Sequence, residues 1–489
     1  MSKPELNIVQ RLQSLEGHLK GENPVLLDAV KSFRELDAVA YKMGVLSPHE
    51  SFATMIPWWP LVSVLGTFSA GKSTFINSYL GFNLQSSGNQ AVDDRFTVIC
   101  HSNDGDVHTL PGLALDADPR FPFYQISEDI EKVAEGEGRR IDAYLQLKAC
   151  PSDVLLGKII IDSPGFDADA QRTSTLRLTE HIVDLSDLVL VFFDARHPEP
   201  GAMQDTLQHL VSETLNRNDS SKFLYILNQI DATAREDNPE EVFGAWQRAL
   251  AQKGLTGGRF YTIYNRDVAV HIADDALRAR FERKRDEDMA EIYSRIQQVK
   301  IERAYRIVGS LEAIAGDFSA RIVPIVSEAL ARWRKRVLTI DAVLVVVAVV
   351  LFLVFSIRSG WWEGMNLTAP WFIALQQNPL LAIVAVVVAA AVAITVHQKV
   401  RVLAANSVRR WVEQQGSGEE ESRRLVGAFS VSTGAWRSIF STQPKGWGRR
   451  AKKRIAEVIS KTDMFVQSLN DTFTNPSGPV ANGEDREGR

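Results

Sequence analysis

Apolar residues fall on one helical face twice near the start of the chain. Leu6, Val9, Leu12, Leu15 and Leu19 form the first stripe, and after Pro24 come Leu26, Val30, Phe33, Leu36, Val39 and Met43. Spacing of three and four residues predicts two amphipathic helices. Gly44 and Pro48 predict the end of the second. The pattern then shortens. Val62, Val64 and Leu65, then Lys158 to Asp162, Leu188 to Phe193, Phe223 to Leu227 and Phe260 to Ile263 read as brief apolar runs. Such runs suit strands buried on both faces, and their separation by long segments predicts a mostly parallel sheet with helices on both faces. From Asp274 to Arg336 the chain is charge-rich and helical, with Leu311, Ile314, Phe318, Ile322 and Ile325 as its apolar stripe.

Two longer runs have no polar face. Val337 to Ile357 spans 21 residues with Asp341 as its one charge, and Leu380 to Val396 spans 17 without any. At ~1.5 Å per residue they reach about 32 and 26 Å, enough to cross a hydrocarbon core of ~30 Å. Arg332, Arg334, Lys335 and Arg336 precede the first run, and Lys399 and Arg401 follow the second. The 22-residue connection from Arg358 to Pro379 holds one Arg and one Glu. This asymmetry predicts a transmembrane hairpin with both termini cytoplasmic. Trp361, Trp362 and Trp371 would anchor the outer interface, and Asp341 would rest at the opposite one. Met1 to Lys20 is polar and amphipathic, so no N-terminal signal is expected.

Composition adds limits. With 489 residues, 45% of them apolar, there is material for a nucleotide domain and accessory parts. A net charge of −5 gives no reason to expect a nucleic-acid partner. Cys100 and Cys150 read as free thiols in a reducing compartment. Charge is uneven: Lys399 to Lys461 carries 14 Lys/Arg against 5 Asp/Glu, including five cations beside a Trp in Gly446 to Arg454. Either a solvated helix face or attraction to anionic lipid accounts for that stretch.

The chemistry lies at the ends of the short apolar runs. Gly66-Thr-Phe-Ser-Ala-Gly-Lys-Ser73 is a complete G-x-x-x-x-G-K-S phosphate loop between a strand and a helix. Its glycines turn the backbone so that amides, including those of Ser69, Ala70, Gly71 and Thr74, face an anion at a helix N-terminus. Lys72 can reach the β and γ phosphates, and the Ser73 hydroxyl can ligate Mg²⁺. About 90 residues on, Asp162-Ser-Pro-Gly165 reads as D-x-x-G: Asp162 would hold a water on Mg²⁺ and the Gly165 N–H would bond the γ-phosphate. Asn228-Gln229-Ile230-Asp231 is similar to the guanine-reading N-K-x-D, in which the Asp231 carboxylate would accept from guanine N1–H and the exocyclic amine.

The run Gly66 to Asn77 resembles the phosphate loop of the dynamin superfamily, including Ser69 two residues before the second glycine. Cys150-Pro-Ser-Asp-Val-Leu before Ile159 to Gly165 resembles the same family. Ser186-Asp-Leu-Val-Leu-Val-Phe-Phe-Asp194-Ala is similar to the strand before N-K-x-D in the EH-domain ATPase and sarcalumenin branch. The resemblance covers about residues 45 to 270. It implies binding of GTP and GDP with hydrolysis, activation by G-domain dimerisation, and a monovalent cation, K⁺ or Na⁺, held with help from Ser69. Catalytic roles would fall to Ser69, Lys72 and Gly165. A related branch binds ATP despite its N-K-x-D, so ATP stands as the alternative.

Departures matter as much. Gln229 replaces the motif's Lys, whose stem packs over the base. Phe166 stands where Ras-like enzymes carry a water-orienting Gln, so hydrolysis would need another group. The switch threonine should lie in the loop Ser86 to Arg95, where the EH-domain pattern falls near Val92 or Asp93. Thr97 is the candidate metal ligand, with an ordinary strand Thr as the alternative. Tyr264-Asn265-Arg266 could stack near a base or simply turn a strand into a helix.

The expected architecture is an α/β P-loop GTPase domain plus a helical bundle or stalk and a two-helix transmembrane hairpin. Its parts are N-terminal helices (1–56), a dynamin-type G domain (57–272), a stalk (273–336), the hairpin (337–398), a C-terminal helical region (399–474) and a disordered tail (475–489). Breaks are expected at Gln415-Gly-Ser-Gly and Gln443-Pro-Lys-Gly. The expected role is remodelling, tethering or fusing membranes as a homodimer or larger homo-oligomer in a bacterial inner membrane. A slow nucleotide-gated scaffold is the second reading, and a regulatory G domain on a transporter the third.

Overall fold

The computed structural model describes residues 4–86, 95–116, 118, 121, 123, 126–133, 136, 138–165, 173–196, 220–235, 239–252, 255 and 259–473. Two compact units emerge, one from Ser14–Leu27 and Thr54–Ile307, the other from Met1–Gln13, Asp28–Ala53 and Val308–Arg489. The tail 475–489, Phe166 and most of the expected switch loop lie outside the described residues.

The first unit is built on a sheet of eight described strands: β1 (Leu61–Gly66), β2 (Phe96–His101), β3 (His108–Pro111), β4 (Leu145–Cys150), β5 (Ile159–Asp162), β6 (Leu188–Asp194), β7 (Phe223–Asn228) and β8 (Arg259–Thr262). Their order is β3-β4-β2-β5-β1-β6-β7-β8. Pairing is parallel except at β2–β5 and β3–β4. Alternation fixes the two faces. Leu188, Leu190 and Phe192 of β6 join Val62, Val64, Phe75 and Ile76 on one side. Val189, Val191 and Phe193 join Leu65, Tyr225, Trp246 and Leu250 on the other. Both faces are covered, as the unbroken apolar runs require. Ile292, Ile296 and Val299, from the helix Asp275–Asp317, complete the first face. β3 left no apolar signal because all four of its residues are exposed.

The second unit is helical. Its elements include the helix Pro24–Met43 from Asp28 onward, the helix Asp275–Asp317 from Val308 onward, Val323–Arg358, Pro379–Glu413, Glu419–Ser432 and Arg449–Phe473. Phe318–Ile322 forms a π-helical turn just before Pro324, which has no N–H to donate to the Ala320 carbonyl as a regular α-helix would require. Buried Phe33, Leu36, Phe318, Val326, Trp333, Val408, Phe429, Ile455 and Val458 make up its core. The first span continues the preceding helix without a break, and both apolar helices are long enough to cross a membrane. Their side chains from Val343 to Phe355 and from Leu380 to Val396 are largely exposed. The Asp341 carboxylate meets the Nδ1 of His397 across the helix pair at 2.7 Å.

Two details differ from the sequence pattern. The connection carries structure of its own: the short strands Trp362–Glu363 and Asn366–Leu367 pair, and Pro370–Gln377 is a helix. The break expected at Gln443 begins earlier, because the helix Glu419–Ser432 stops before Gly434 and the next starts only at Arg449. Residues 433–448 are therefore a loop.

Candidate functional site

β1 delivers the phosphate loop, and the helix Lys72–Leu80 leaves it. Gly71 caps that helix with φ of 84°, in left-handed territory where glycine is favoured. A Cβ there would also lie 2.2 Å from the Asn228 amide nitrogen. That nitrogen donates to the Ala70 carbonyl at 2.8 Å. The neighbouring Gln229, itself at φ 63°, donates to the Ser69 carbonyl at 2.6 Å. Ser69 is likewise left-handed, at φ 59°. The end of β7 thus clamps the loop through two side-chain amides, and two residues in a sparsely populated conformation are held there by their partners. Gln229 accordingly has a job in this fold that its place in an N-K-x-D pattern does not reveal.

Lys72 is buried, with Nζ donating to the carbonyls of Gly66 at 3.0 Å and Thr67 at 3.1 Å. Burial pushes its pKa down, and the charge of Asp162 opposes that shift. A cation pooled among carbonyls on a loop of amides is suited to an incoming polyphosphate. Ser73 and Thr74 follow in the first helical turn.

Asp162 ends β5, buried, and accepts from the Gln85 side chain at 2.6 Å. Gln85 in turn accepts from Lys148 Nζ at 2.7 Å. Asn77 holds the Gln85 backbone through both its N–H and its carbonyl. This chain links the switch carboxylate to the last described residues before 87–94, and no local pattern marks it. Gly165 lies against Phe68: a Cβ at Gly165 would approach the Phe68 Cα to 3.0 Å. Ser73 and Asp162 offer hard oxygen donors of the type Mg²⁺ takes. Thr97 sits inside β2, opposite Asp162 in register, and its buried hydroxyl accepts from Gln146 at 2.7 Å. That is the ordinary strand role, and Val92 and Asp93 lie outside the described residues.

Asp231 follows Gln229 in a short 3₁₀ turn. One carboxylate oxygen accepts from the Val270 N–H at 2.7 Å. Burial raises its pKa, partly offset by backbone N–H groups and by Arg196. Arg196 is fixed by Asp194, at the end of β6, through both carboxylate oxygens. The Tyr264-Asn265-Arg266 segment forms a strand-to-helix turn: Tyr264 is buried under Arg285, and Asn265 caps the following 3₁₀ turn.

Residues 62–230 match the family model described as "Dynamin family". Human EH domain-containing protein 1 is 29% identical over 182 residues, 35% of this chain and 31% of that protein. Human EH domain-containing protein 2 is 28% identical over 201 residues, 40% and 34% of the two chains. The chain therefore spans about a third of the length of these relatives. Among solved structures, one described as an oligomerised bacterial dynamin pair, with a mechanism for long-range sensing and tethering of membranes, aligns over 95% of this chain and 75% of that one. Its identity is 11% and its TM-score 0.32. Toc33 from Arabidopsis thaliana aligns over 42% of this chain and 69% of that one at 13% identity, with a TM-score of 0.25.

Proposed function

We propose, from the premise that residues 62–230 are a dynamin-superfamily domain, that this chain is a membrane-anchored GTPase. Its G domains would associate to hydrolyse GTP and thereby remodel, tether or fuse bilayers. The observation that carries the reading is the pairing, in one chain, of a clamped phosphate loop around buried Lys72 with two exposed apolar helices of membrane-spanning length. Residues 57–272 would be the catalytic domain, 273–336 the stalk, 337–398 the anchor and 399–474 the C-terminal helices. Both termini would face the nucleotide-containing compartment, in a bacterial inner membrane.

Lys72 and the loop amides would bind the β and γ phosphates, Gly165 N–H would donate to the γ-phosphate, and Asn228 would hold the loop in register with Asp231. Ser73 and Asp162 would hold Mg²⁺, which would supply charge neutralisation at the phosphoryl oxygens. Phe166 cannot orient water, so the missing element would come from a second G domain and a monovalent cation near Ser69. Lipid contacts, including anionic headgroups near Gly446 to Arg454, would complete the partners. The same Phe166 favours the second reading, a nucleotide-gated scaffold that turns over slowly.

Reconstituted into liposomes, the protein is expected to hydrolyse GTP at a rate per molecule that rises several-fold with protein density, as self-association supplies effective concentration. A low rate that ignores density rejects dimer activation and supports the scaffold. Running GTP beside ATP in the same assay decides the substrate.

Asp231→Asn is expected to shift preference from GTP toward the xanthine nucleotide. Losing one buried acceptor costs about 1–3 kcal/mol, or roughly fivefold to 150-fold in affinity. The raised pKa of Asp231 adds a pH signature. A protonated carboxyl is a poorer acceptor, so wild-type GTP preference should weaken on acidification while the pH is still above the usual carboxylate value of about 4. The Asn variant should be flat there. Unchanged preference in the variant would remove Asp231 from base reading.

A further inference from the structure

We propose that the loop 433–441 is a second membrane contact, a wedge in which Trp436 and Phe440 enter the lipid interface on the side of the chain's termini. The proposal rests on the anchoring read above and adds a surface to it. Trp436 is fully exposed and Phe440 is 67% exposed. Both sit on an ordered loop. The buried Arg401 guanidinium gathers the carbonyls of Gly434 at 2.8 Å, Ala435 at 2.8 Å and Arg437 at 2.7 Å. It lies over the Trp333 ring, and Gln398 adds a bond to Ala435 at 3.2 Å. Within the loop Arg437 donates to Ser441 and to the Gln443 carbonyl. The two rings are thus presented to solvent by a fixed scaffold.

Position identifies the occupant. Arg401 follows the last residue of the second apolar span, Val396, by five positions on the same helix. At ~1.5 Å per residue that is about 7 Å beyond the hydrocarbon edge. The polar interfacial layer of one leaflet is about 5–8 Å deep, so the residue that holds the loop sits at the depth of that layer. Val402 and Leu403, beside Arg401 on the same helix, are also exposed and continue the apolar surface of the span past Val396. Trp is the side chain that settles at this depth, with an apolar body and one N–H for the wet side. Arg401, which the sequence marks only as a flanking cation, holds this loop through three carbonyls. A lipid surface is continuous with what the neighbouring helices already meet, which favours it over a protein partner.

The test uses the full chain in phosphatidylcholine vesicles containing lipids with a nitroxide near the top of the acyl chain, to report position 436, and lipids with one near its end, to report position 349. One bimane fluorophore per variant is placed at Trp436→Cys, Val349→Cys or Gln415→Cys, in a Cys100→Ser background; Cys150 is buried. These positions are exposed, so labelling leaves the core untouched. Emission is expected to fall roughly two-fold at 436, in accord with interfacial burial of Trp, to fall at 349, and to stay unchanged at 415. Quenching at 349 without quenching at 436 overturns the wedge and leaves the anchor standing. Absence of quenching at all three overturns the anchor and the wedge together. Equal quenching at 415 and 436 overturns the specific role of the loop.

Discussion

Lys72→Ala is expected to abolish measurable binding of GTP and GDP at concentrations that saturate the wild type. Nζ is buried, and it can hand two or more charge-assisted hydrogen bonds from the Gly66 and Thr67 carbonyls to phosphate oxygens. Each bond of that kind contributes about 1.5–3 kcal/mol. Two together make about 3–6 kcal/mol, or roughly 10²- to 10⁴-fold in affinity. The loop itself should survive. Alanine leaves the two carbonyls without their donor, but Asn228 and Gln229 still hold Ala70 and Ser69 from the other side. A fluorescent-nucleotide titration with a thermal melt beside it separates the effects. Loss of binding with a nearly unchanged melting temperature is the expected result; normal binding would remove the loop from the nucleotide site.

Much of this site was legible because it is built at strand ends, where short motifs and apolar runs coincide. Gly66 to Ser73, Asp162 and Asn228 each follow a run that the structure shows as a central strand, and the two faces of β6 follow directly from alternation. What escaped was made by long-range pairing. Gln85 reaches Asp162 and Lys148 across 77 and 63 positions, so no window of sequence contains the contact. Gln229 reads as a weakened motif residue until its left-handed backbone turns the amide onto Ser69. The loop 433–448 was hidden for a different reason: its ordering comes from Arg401, whose charge resembles an ordinary flank cation until its three carbonyl partners are known.

Asp187→Ala should cost about 3–5 kcal/mol, the loss expected when one partner of a buried ion pair is removed. The Asp187 side chain is 1% exposed just before β6, and it holds three partners, two by hydrogen bonds and one as an ion pair. Arg303 reaches one carboxylate oxygen, Arg306 the other at 2.5 Å, and the Leu61 N–H shares the first at 2.9 Å. The contributions are unequal. Arg306 is half exposed and regains water on losing its partner, so little is lost there. Arg303 is buried, its pKa pushed down by burial and held up by Asp187, and alanine would strand that charge. The same carboxylate fixes Leu61, five residues before Gly66, so the helix Asp275–Asp317 is fastened to the strand that carries the phosphate loop. Amide exchange along β1 should therefore rise with the loss of stability. Asp187→Asn, which keeps an acceptor for Leu61, should lose less protection at β1 while still stranding Arg303. Pairing Asp187→Ala with Arg303→Met removes both ends of the buried pair and should recover much of the stability lost by the single variant. If the double variant is as unstable as Asp187→Ala alone, the uncompensated Arg303 charge is not the cause, and the lost bond to Leu61 accounts for most of the destabilisation.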